Sequence, residues 1–248
     1  AKGVELKALR RKIQMVFQDP YESLNPLMTI REIVAEPLEV HKLTSSLEEK
    51  ETRVRRALED AGLKPAEIYL DRLPHELSGG QRQRVVVAGA LVLKPIVLLA
   101  DEPVSMLDVS IRAEILNLLS DLRTEKGISV IFITHDMATA ANICERIAVM
   151  YLGRIVETGP TRQVLNNPHH PYTQALLSVI PIPNPRHRKK RIILQGAPPN
   201  AIEIPSGCRF HPRCPVVFDR CRKEDPGLMP AHHPHQTACW LMEHSKQV

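Results

Sequence analysis

The order of apolar and polar positions changes character along the chain. Residues 12–18, KIQMVFQ, are rich in β-branched and aromatic side chains and end in the turn-rich DPYESLNP, so we predict a strand there. Residues 29–95 have helical spacing instead. One helix is predicted to open at Thr29, and a second follows two serines and stops at Gly62.

From residue 96 onward, short apolar strands alternate with helices. The pattern predicts strands over 96–100 and 128–134, helices over 111–127 and 137–143, and a hairpin over 146–159. Continuous apolar strands separated by helices indicate an α/β fold, with a parallel sheet covered on both faces. After Asn167 the content of proline, histidine and cysteine rises, and we predict a domain boundary there.

Composition limits the number of domains and the class of protein. The chain has 248 residues, 43% of them apolar and 25% charged, which is ordinary for a globular protein of one large domain or one medium domain with an appendage. Much of the net charge of +5 lies in RHRKKR at 186–191, interpreted as a solvated linker, with nucleic-acid or lipid contact as the alternative. No apolar run reaches the roughly 18 residues of a membrane span and no secretory signal is evident, so the default expectation is a cytosolic location.

Two adjacent carboxylates end the apolar run IVLLADEP. Asp101 and Glu102 follow a predicted buried strand, at the edge where open α/β sheets bind ligands. Asp101 is suited to hold Mg²⁺ through water, and Glu102 to polarise an attacking water. The alternative is that this Asp-Glu-Pro only caps the next helix.

Neighbouring strands bring further polar groups to the same edge. His135 follows the strand ISVIFIT, and Gln18 follows the first predicted strand. An amide, two carboxylates and an imidazole at one sheet edge are suited to activating water beside a metal-bound phosphate.

A glycine pair opens the helix QRQRVVVAGALVL. Ser78, Gly79 and Gly80 precede it, so its N-terminus would present free backbone N–H groups and a favourable dipole. Glycine lets a polyphosphate approach the backbone closely, and the serine hydroxyl adds one donor. This is the chemistry of an anion-binding site.

Five motifs in order resemble those of ABC-type ATPases. LSGGQRQRV at 77–85, with Gln81, resembles the signature motif, and VLLADEP the Walker B segment. SMLD, ending at Asp108, resembles the D-loop, the THD containing His135 the switch segment, and the VFQDP containing Gln18 the Q-loop. The resemblance covers roughly residues 4–165.

The resemblance implies a fold, a dimer and partners. It implies a P-loop NTPase with a RecA-like parallel-sheet core (1–28 and 96–167), a helical subdomain (29–95) and a Cys-rich extension (168–248). ATP and Mg²⁺ are then sandwiched between two ATPase subunits, with Ser78, Gly79 and Gly80 acting on the partner's nucleotide. The helical subdomain, through the loop after Gln18, docks on two transmembrane permease subunits, which places the protein peripherally on the inner face of the cell membrane.

The C-terminal tail, from Asn167 onward, indicates a subfamily of the ABC-type ATPases. NPHHPYTQALLSVIP followed by GCRFHPRCPVVFDRC resembles the C-terminal extension of oligopeptide and dipeptide importer ATPases, with a peptide-binding protein as an indirect partner. Nickel importers share parts of this pattern and are the alternative. A nucleic-acid role is not expected, because the interval of about 60 residues between Gln18 and Ser78 has no sustained heptads.

Four of the five cysteines crowd into the last 41 residues, spaced C-x5-C-x6-C-x17-C. In a cytosolic chain this favours metal over disulfides, but the spacing alone identifies no metal. The resemblance implies a [4Fe–4S] cluster, with Zn²⁺ as the alternative. The candidate ligands are Cys208, Cys214, Cys221 and Cys239, and possible substitutes are His211, His232, His233 and His235. Cys144 stands apart and is interpreted as a small buried residue.

One family motif is missing. The phosphate-binding loop G-x-x-x-x-G-K-[ST] does not occur, and the 248 residues contain no Gly-Lys dipeptide. The notable absence leads us to expect an N-terminally shortened ATPase, with an incompletely covered sheet, that binds ATP poorly by itself. The alternative to an ATP-hydrolysing subunit is a non-catalytic subunit that lends its signature motif to a partner ATPase.

Overall fold

The computed structural model describes residues 3–180, 191–197, 199–200 and 202–244, apart from the side chains of His232 and His244. The basic run predicted as a linker lies outside the described residues except for Arg191. The chain divides into two compact units, residues 1–135 and 136–248.

In the described part of the first unit, from residue 3 onward, there are six helices and three strands. In chain order these are α1 (Val4–Lys12), β1 (Ile13–Val16), α2 (Pro20–Ser23), α3 (Ile30–His41), α4 (Leu47–Asp60), α5 (Gly79–Leu91), β2 (Val97–Asp101), α6 (Val109–Thr124) and β3 (Ser129–Ile133). Short 3₁₀ turns at Ala66–Ile68 and Pro74–Glu76 join α4 to α5. The sequence pattern located β1 and the elements from α3 onward to within a few residues, but it did not predict α1, and it assigned the residues of α2 to a turn.

The helix starts follow from their capping residues. Thr29 Oγ accepts the N–H of Glu32, and the Glu32 carboxylate accepts the N–H of Thr29, so both ends of a capping box are present at α3. Ser46 caps α4 through the N–H of Glu49. Serine and threonine at this position satisfy N–H groups that the first helical turn leaves without partners.

The three strands form a parallel sheet in the order β1-β2-β3. Its register pairs Met15 with Leu99, and Leu99 with Ile131. All three strands therefore end at the same edge, which carries the residues that follow them in the sequence.

Only one face of this sheet is covered within the described residues. Val16, Leu98 and Ala100 lie in a core that includes residues of α5 and α6. The opposite face carries Met15, Phe17, Ile131 and Ile133, whose exposures are 37%, 52%, 54% and 48%. The expectation from the apolar pattern, a sheet covered on both faces, is therefore corrected, and the exposures agree instead with the incompletely covered sheet expected from the missing phosphate-binding loop.

The second unit contains an antiparallel sheet in the order β4-β5-β7-β6. Its elements are α7 (Met137–Ile143), β4 (Arg146–Tyr151), β5 (Arg154–Pro160), α8 (Thr161–Asn166), α9 (Pro171–Ser178), α10 (Asp219–Lys223), β6 (Met229–His232), β7 (His235–Thr237) and α11 (Leu241–His244). A 3₁₀ turn spans His211–Arg213. The hairpin β4–β5 turns at Leu152 and Gly153, both at positive φ, as a two-residue turn requires.

Strand pairing joins the C-terminal tail to the hairpin in the second unit. β7, from the C-terminal tail, pairs with β5, so the hairpin and the tail share one sheet. The division after His135 therefore differs from the predicted boundary at 167, which falls between α8 and α9. The sequence pattern located α7 and the hairpin but gave no sign of this long-range pairing.

Replacing Thr29 with alanine should lower the free energy of unfolding of the first unit by about 1 kcal/mol, because the N–H of Glu32 loses its capping oxygen. Urea unfolding of the chain, followed by circular dichroism, measures the change. The matched control is Thr52→Ala, since Thr52 is exposed inside α4 and makes no cap. Equal midpoints for Thr29→Ala and the unaltered chain would contradict the prediction.

Candidate functional site

Glu102 is the centre of a polar cluster at the end of the parallel sheet. Its Oε2 accepts a hydrogen bond from Gln18 Nε2 at 3.0 Å, and its Oε1 lies 2.8 Å from His135 Nδ1. Against a carboxylate, Nδ1 of the imidazole is the donor. Both oxygens of one carboxylate are thus engaged by side chains from the two neighbouring strands, as the sequence predicts for the sheet edge.

The ends of the strands create this cluster. Gln18 follows β1 by two residues, Glu102 directly follows β2, and His135 follows β3 by two residues. The backbone N–H of Glu102 donates to the carbonyl of Ile133 at 2.9 Å, which continues the pairing of β2 and β3 past the last residue of the strand. Position in the sheet, rather than proximity in sequence, brings the three side chains together.

The backbone at Glu102 is itself unusual. Its φ is +43°, in the left-handed region that residues with a side chain seldom occupy. Ser105 donates both its N–H and its hydroxyl to the Glu102 carbonyl, which holds this conformation. Strained backbone held by surrounding contacts is a feature of functional sites, and the sequence carried no signal of it.

The two aspartates of the candidate site lie on either side of Glu102 in sequence. Asp101 is the half-buried last residue of β2 and pairs with Ile133. Asp108 is the exposed N-cap residue of α6, and its side chain makes no capping hydrogen bond. Both carboxylates retain oxygen atoms that could take a ligand.

Ser78 begins α5, as the sequence predicts. Its hydroxyl oxygen accepts the N–H of Gln81 at 3.3 Å, and Gln81 Oε1 accepts the N–H of Ser78 at 3.0 Å. Ser78 is exposed and Gly79 is half-buried. The first-turn N–H groups of Gly79 and Gly80 remain at the open end of the helix, where an anion would bind.

Gly80 is required to be glycine by packing, and not by the close approach of a phosphate that the sequence analysis inferred. It is buried, and a Cβ atom built on it would lie 2.4 Å from Ile111 Cγ2 of α6. The glycine therefore permits close packing of α5 on α6. Space for a polyphosphate, the reason inferred from the sequence, is not needed to explain it.

Tyr21 links the segment after Gln18 to the start of α5. The guanidinium carbon of Arg82 lies 4.2 Å from the centre of the Tyr21 ring, a cation–π contact. A Cβ on Gly79 would lie 3.5 Å from the Tyr21 hydroxyl oxygen. Neither residue was a sequence candidate, because a lone tyrosine in a turn and an arginine in a helix carry no distinctive pattern.

The four clustered cysteines share one narrow cavity in the second unit, as the sequence grouping suggests. Cys208, Cys214, Cys221 and Cys239 line it together with His170, His211 and several apolar side chains. All four are free thiols, and Cys144 does not line the cavity.

Burial dominates the acidity of these thiols. It raises the pKa of Cys208 to about 11 and that of Cys239 to about 12, with a smaller contribution from the charges of the neighbouring cysteines. Burial also raises the pKa of Cys214. Among the described residues, no three or more His, Cys, Asp or Glu side chains form a group that could hold a metal ion.

Glu157 is a buried carboxylate that the sequence analysis missed. It lies on β5 and accepts the backbone N–H groups of His169 and His170 at 2.6 and 3.1 Å. Nε2 of buried His235 lies 2.8 Å from Glu157 Oε1. One carboxylate thus joins the hairpin, the start of α9 and β7.

The histidines considered as substitute ligands have separate positions. His235 is occupied by Glu157, and His211 lines the cavity with its Nδ1 3.0 Å from the Cys208 carbonyl. His233 is exposed, and the side chain of His232 is outside the described residues. His170, which was not a candidate, also lines the cavity.

Two family models match the chain. The ABC transporter model matches residues 2–105, and the model of the oligopeptide/dipeptide transporter C-terminal region matches residues 156–221. The first match covers the sheet-edge acids and the signature-like helix. The second covers most of β5, α9 and three of the four clustered cysteines.

Curated and solved proteins give the same assignment. The chain is 51% identical to the dipeptide transport ATP-binding protein DppF of Haemophilus influenzae, over 90% of this chain and 68% of that protein. It is 49% identical to a Sinorhizobium fredii protein named "Probable peptide ABC transporter ATP-binding protein y4tS", over 95% of this chain and 66% of that protein. The solved ATP-binding cassette MJ0796, a dimer in a post-hydrolysis state bound to ADP and Pi, matches with 36% identity and a TM-score of 0.56, over 65% of this chain and 68% of that one.

The sheet with its edge cluster, and the helix opening at Ser-Gly-Gly, define an ATP-binding cassette. The chain belongs to the ABC transporter family, in the branch that carries the oligopeptide/dipeptide transporter C-terminal region. It spans about two thirds of the length of the two curated relatives described above. Within the described residues, no helix combines the length and apolar character needed to cross a bilayer.

Gly80→Ala and Gly89→Ala should change stability in opposite directions. The first places a methyl group against Ile111 and should lower the free energy of unfolding by about 1–3 kcal/mol. The second adds a Cβ in open space inside α5 and should raise it by up to about 1 kcal/mol, because alanine favours helix over glycine.

Urea unfolding of both variants measures these changes. Adding Ile111→Ala to Gly80→Ala should recover part of the loss, since it removes the atom that the new methyl group meets. The packing explanation for Gly80 would be refuted if Gly80→Ala and Gly89→Ala had equal free energies of unfolding. It would also be refuted if adding Ile111→Ala restored none of the free energy lost in Gly80→Ala.

Proposed function

We propose that this chain is the ATP-hydrolysing subunit of an importer of oligopeptides or dipeptides. The observation that carries the proposal is the Glu102 carboxylate held between Gln18 and His135 at the end of a parallel sheet. The resemblance to DppF and to the cassette with bound ADP and Pi supports the same chemistry. A nickel importer, the other cargo considered, has no support among the relatives described.

Glu102 is assigned as the group that polarises the attacking water. Gln18 and His135 hold its two oxygens, which fixes the carboxylate relative to the sheet edge. Asp101, one residue earlier, supplies a hard oxygen ligand of the kind that Mg²⁺ prefers. A bound Mg²⁺ neutralises charge that develops on the phosphates.

The start of α5 is assigned to a second nucleotide, held by a partner ATPase. Ser78, Gly79 and Gly80 offer an exposed hydroxyl and two first-turn N–H groups, which suit the γ-phosphate. Gln81 fixes this end through the capping box, and Asp108 belongs to the same intersubunit surface. The dimeric cassette among the solved relatives supports this arrangement.

The remaining partners follow from the proposed role. Two permease subunits carry the peptide across the membrane, and this chain binds them from the inner face as a peripheral subunit. A peptide-binding protein delivers the cargo and does not contact the chain. No nucleic acid takes part.

In the assembled transporter, replacing Glu102 with glutamine should reduce ATP hydrolysis at this subunit's site by about 10²- to 10⁴-fold, because the amide cannot accept a proton from water. Nucleotide binding should persist, since Glu102 is not assigned to phosphate or Mg²⁺ contact. Single-turnover hydrolysis and a nucleotide titration separate the two effects.

Glu59→Gln is the matched control, because Glu59 is exposed on α4 and makes the same chemical change away from the sheet edge. Hydrolysis by Glu102→Gln within twofold of the unaltered transporter would overturn the catalytic assignment. It would leave the chain as a non-catalytic subunit that lends Ser78 and its neighbours to the partner.

We also propose that the four clustered thiols hold a [4Fe–4S] cluster. The support is the chemistry of the donors, because four cysteine thiolates complete such a cluster and all four line one cavity, although in the described structure they are not arranged as a metal-binding group. When bound, the cluster contributes metal–thiolate bonds that fasten the tail segments to one another.

Anaerobically purified chain should contain iron and acid-labile sulfide in equal amounts, and Cys221→Ser should lose most of both, because the cluster loses one of its four ligands. Cys144→Ser, which changes a cysteine outside the cavity, should leave the content unchanged. Metal and sulfide analysis of the three proteins is the measurement. Zinc without sulfide would assign the site to Zn²⁺, and absence of both metals would reject a metal role for these thiols.

A further inference from the structure

Tyr21 lies between the two parts of the candidate site. It follows Gln18 by three residues, on the one-turn helix α2, and it contacts Arg82 in the first turn of α5. Its side chain is a poor core residue, because Tyr21 is 58% exposed. The proposed roles of Gln18 and of Ser78 make no use of it. Its contacts therefore call for a reason other than burial of apolar surface.

The segment after Gln18 holds Tyr21 in a fixed relation to that glutamine. Asp19 Oδ1 accepts the N–H of Tyr21 at 2.7 Å, and the carbonyl of Asp19 accepts the N–H of Ser23 at 3.1 Å. Pro20, at the first position of α2, restricts φ to a value that suits a helix start. The segment is thus a short, hydrogen-bonded arm that begins at Gln18 and ends at the Tyr21 ring.

Arg82 connects the end of this arm to the segment that leads into α5. Its Nε donates to the carbonyl of Pro74 at 2.7 Å, in the 3₁₀ turn shortly before Ser78. The same guanidinium carbon lies 4.2 Å from the centre of the Tyr21 ring. The chain on both sides of Ser78 is therefore attached to one guanidinium group, and that group rests on Tyr21.

The ring of Tyr21, and not its hydroxyl, is the part that should carry the contact. A guanidinium is attracted to the face of an aromatic ring, which phenylalanine also provides. The hydroxyl oxygen would lie 3.5 Å from a Cβ built on Gly79, an ordinary contact distance. The two parts of the side chain can therefore be tested separately.

We propose that Tyr21 is a positioning residue that holds the Ser-Gly-Gly start of α5 in the orientation needed for the γ-phosphate bound to the partner ATPase. The inference rests on the proposed function of Ser78, Gly79 and Gly80. Tyr21 acts through Arg82 and touches neither phosphate nor metal. Because the arm begins at Gln18, a displacement of that residue at this subunit's own nucleotide would shift the segment that serves the partner's nucleotide.

In the assembled transporter, Tyr21→Leu should lower the single-turnover rate of ATP hydrolysis by about two- to fivefold, because the Arg82 guanidinium loses its aromatic face. Tyr21→Phe keeps the ring and should retain the rate of the unaltered transporter. The affinity for ADP should stay the same in both variants, since ADP lacks the γ-phosphate. Tyr69→Leu is the matched control, because the Tyr69 ring centre lies 5.8 Å from the guanidinium carbon of Arg72, outside this segment.

A double substitution tests the route of the effect. If Tyr21 acts through the start of α5, combining Tyr21→Leu with Ser78→Ala should reduce the rate by less than the product of the two single reductions. Reductions that multiply would show that the two residues act independently, and they would overturn the proposal. Urea unfolding, followed by circular dichroism, checks that the variants remain folded at the assay temperature.

The outcomes distinguish this inference from the proposed function. If Ser78→Ala slows hydrolysis but Tyr21→Leu does not, the positioning role is overturned and the function of the segment stands. If Ser78→Ala has no effect, the assignment of the segment to phosphate fails, and the positioning role fails with it. Equal reductions in Tyr21→Phe and Tyr21→Leu overturn the ring contact. A loss of ADP affinity in Tyr21→Leu would indicate a general structural role and would also overturn the proposal.

Discussion

Parallel strand pairing is the constraint on which the rest of the first unit depends. Because β1, β2 and β3 run in the same direction and in register, the residues that follow them emerge at one edge. An amide, a carboxylate and an imidazole separated by 84 and 33 positions along the chain therefore meet around Glu102. A shift of one residue in either pairing would move these side chains to the other face of the sheet.

The sequence predicts this part well for a physical reason. Short apolar runs, capping residues and polar residues at strand ends are local signals, and each was confirmed at β2, α3 and the Glu102 cluster. The grouping of four cysteines was equally visible, because they lie within one short segment of sequence. Local pattern, together with the rule that parallel strands end together, is sufficient to assemble this part of the site.

Other features depend on contacts that no local pattern encodes. The close approach of Ile111 to Gly80 joins two helices, and it gives a glycine of the signature-like motif a packing role. Glu157 looks like an ordinary strand residue until β7 and the start of α9 are placed against it. The apolar pattern likewise did not show which face of the sheet is uncovered, since both strand faces are apolar.

The uncovered face of the parallel sheet has a consequence for handling the protein. Met15, Phe17, Ile131 and Ile133 present aliphatic and aromatic surface to solvent, and β1 and β3 are both edge strands of their sheet. Open strand edges beside apolar surface favour self-association. The purified 248-residue chain should therefore aggregate more readily as its concentration rises. Its solubility should depend on whether another protein surface covers this face of the sheet.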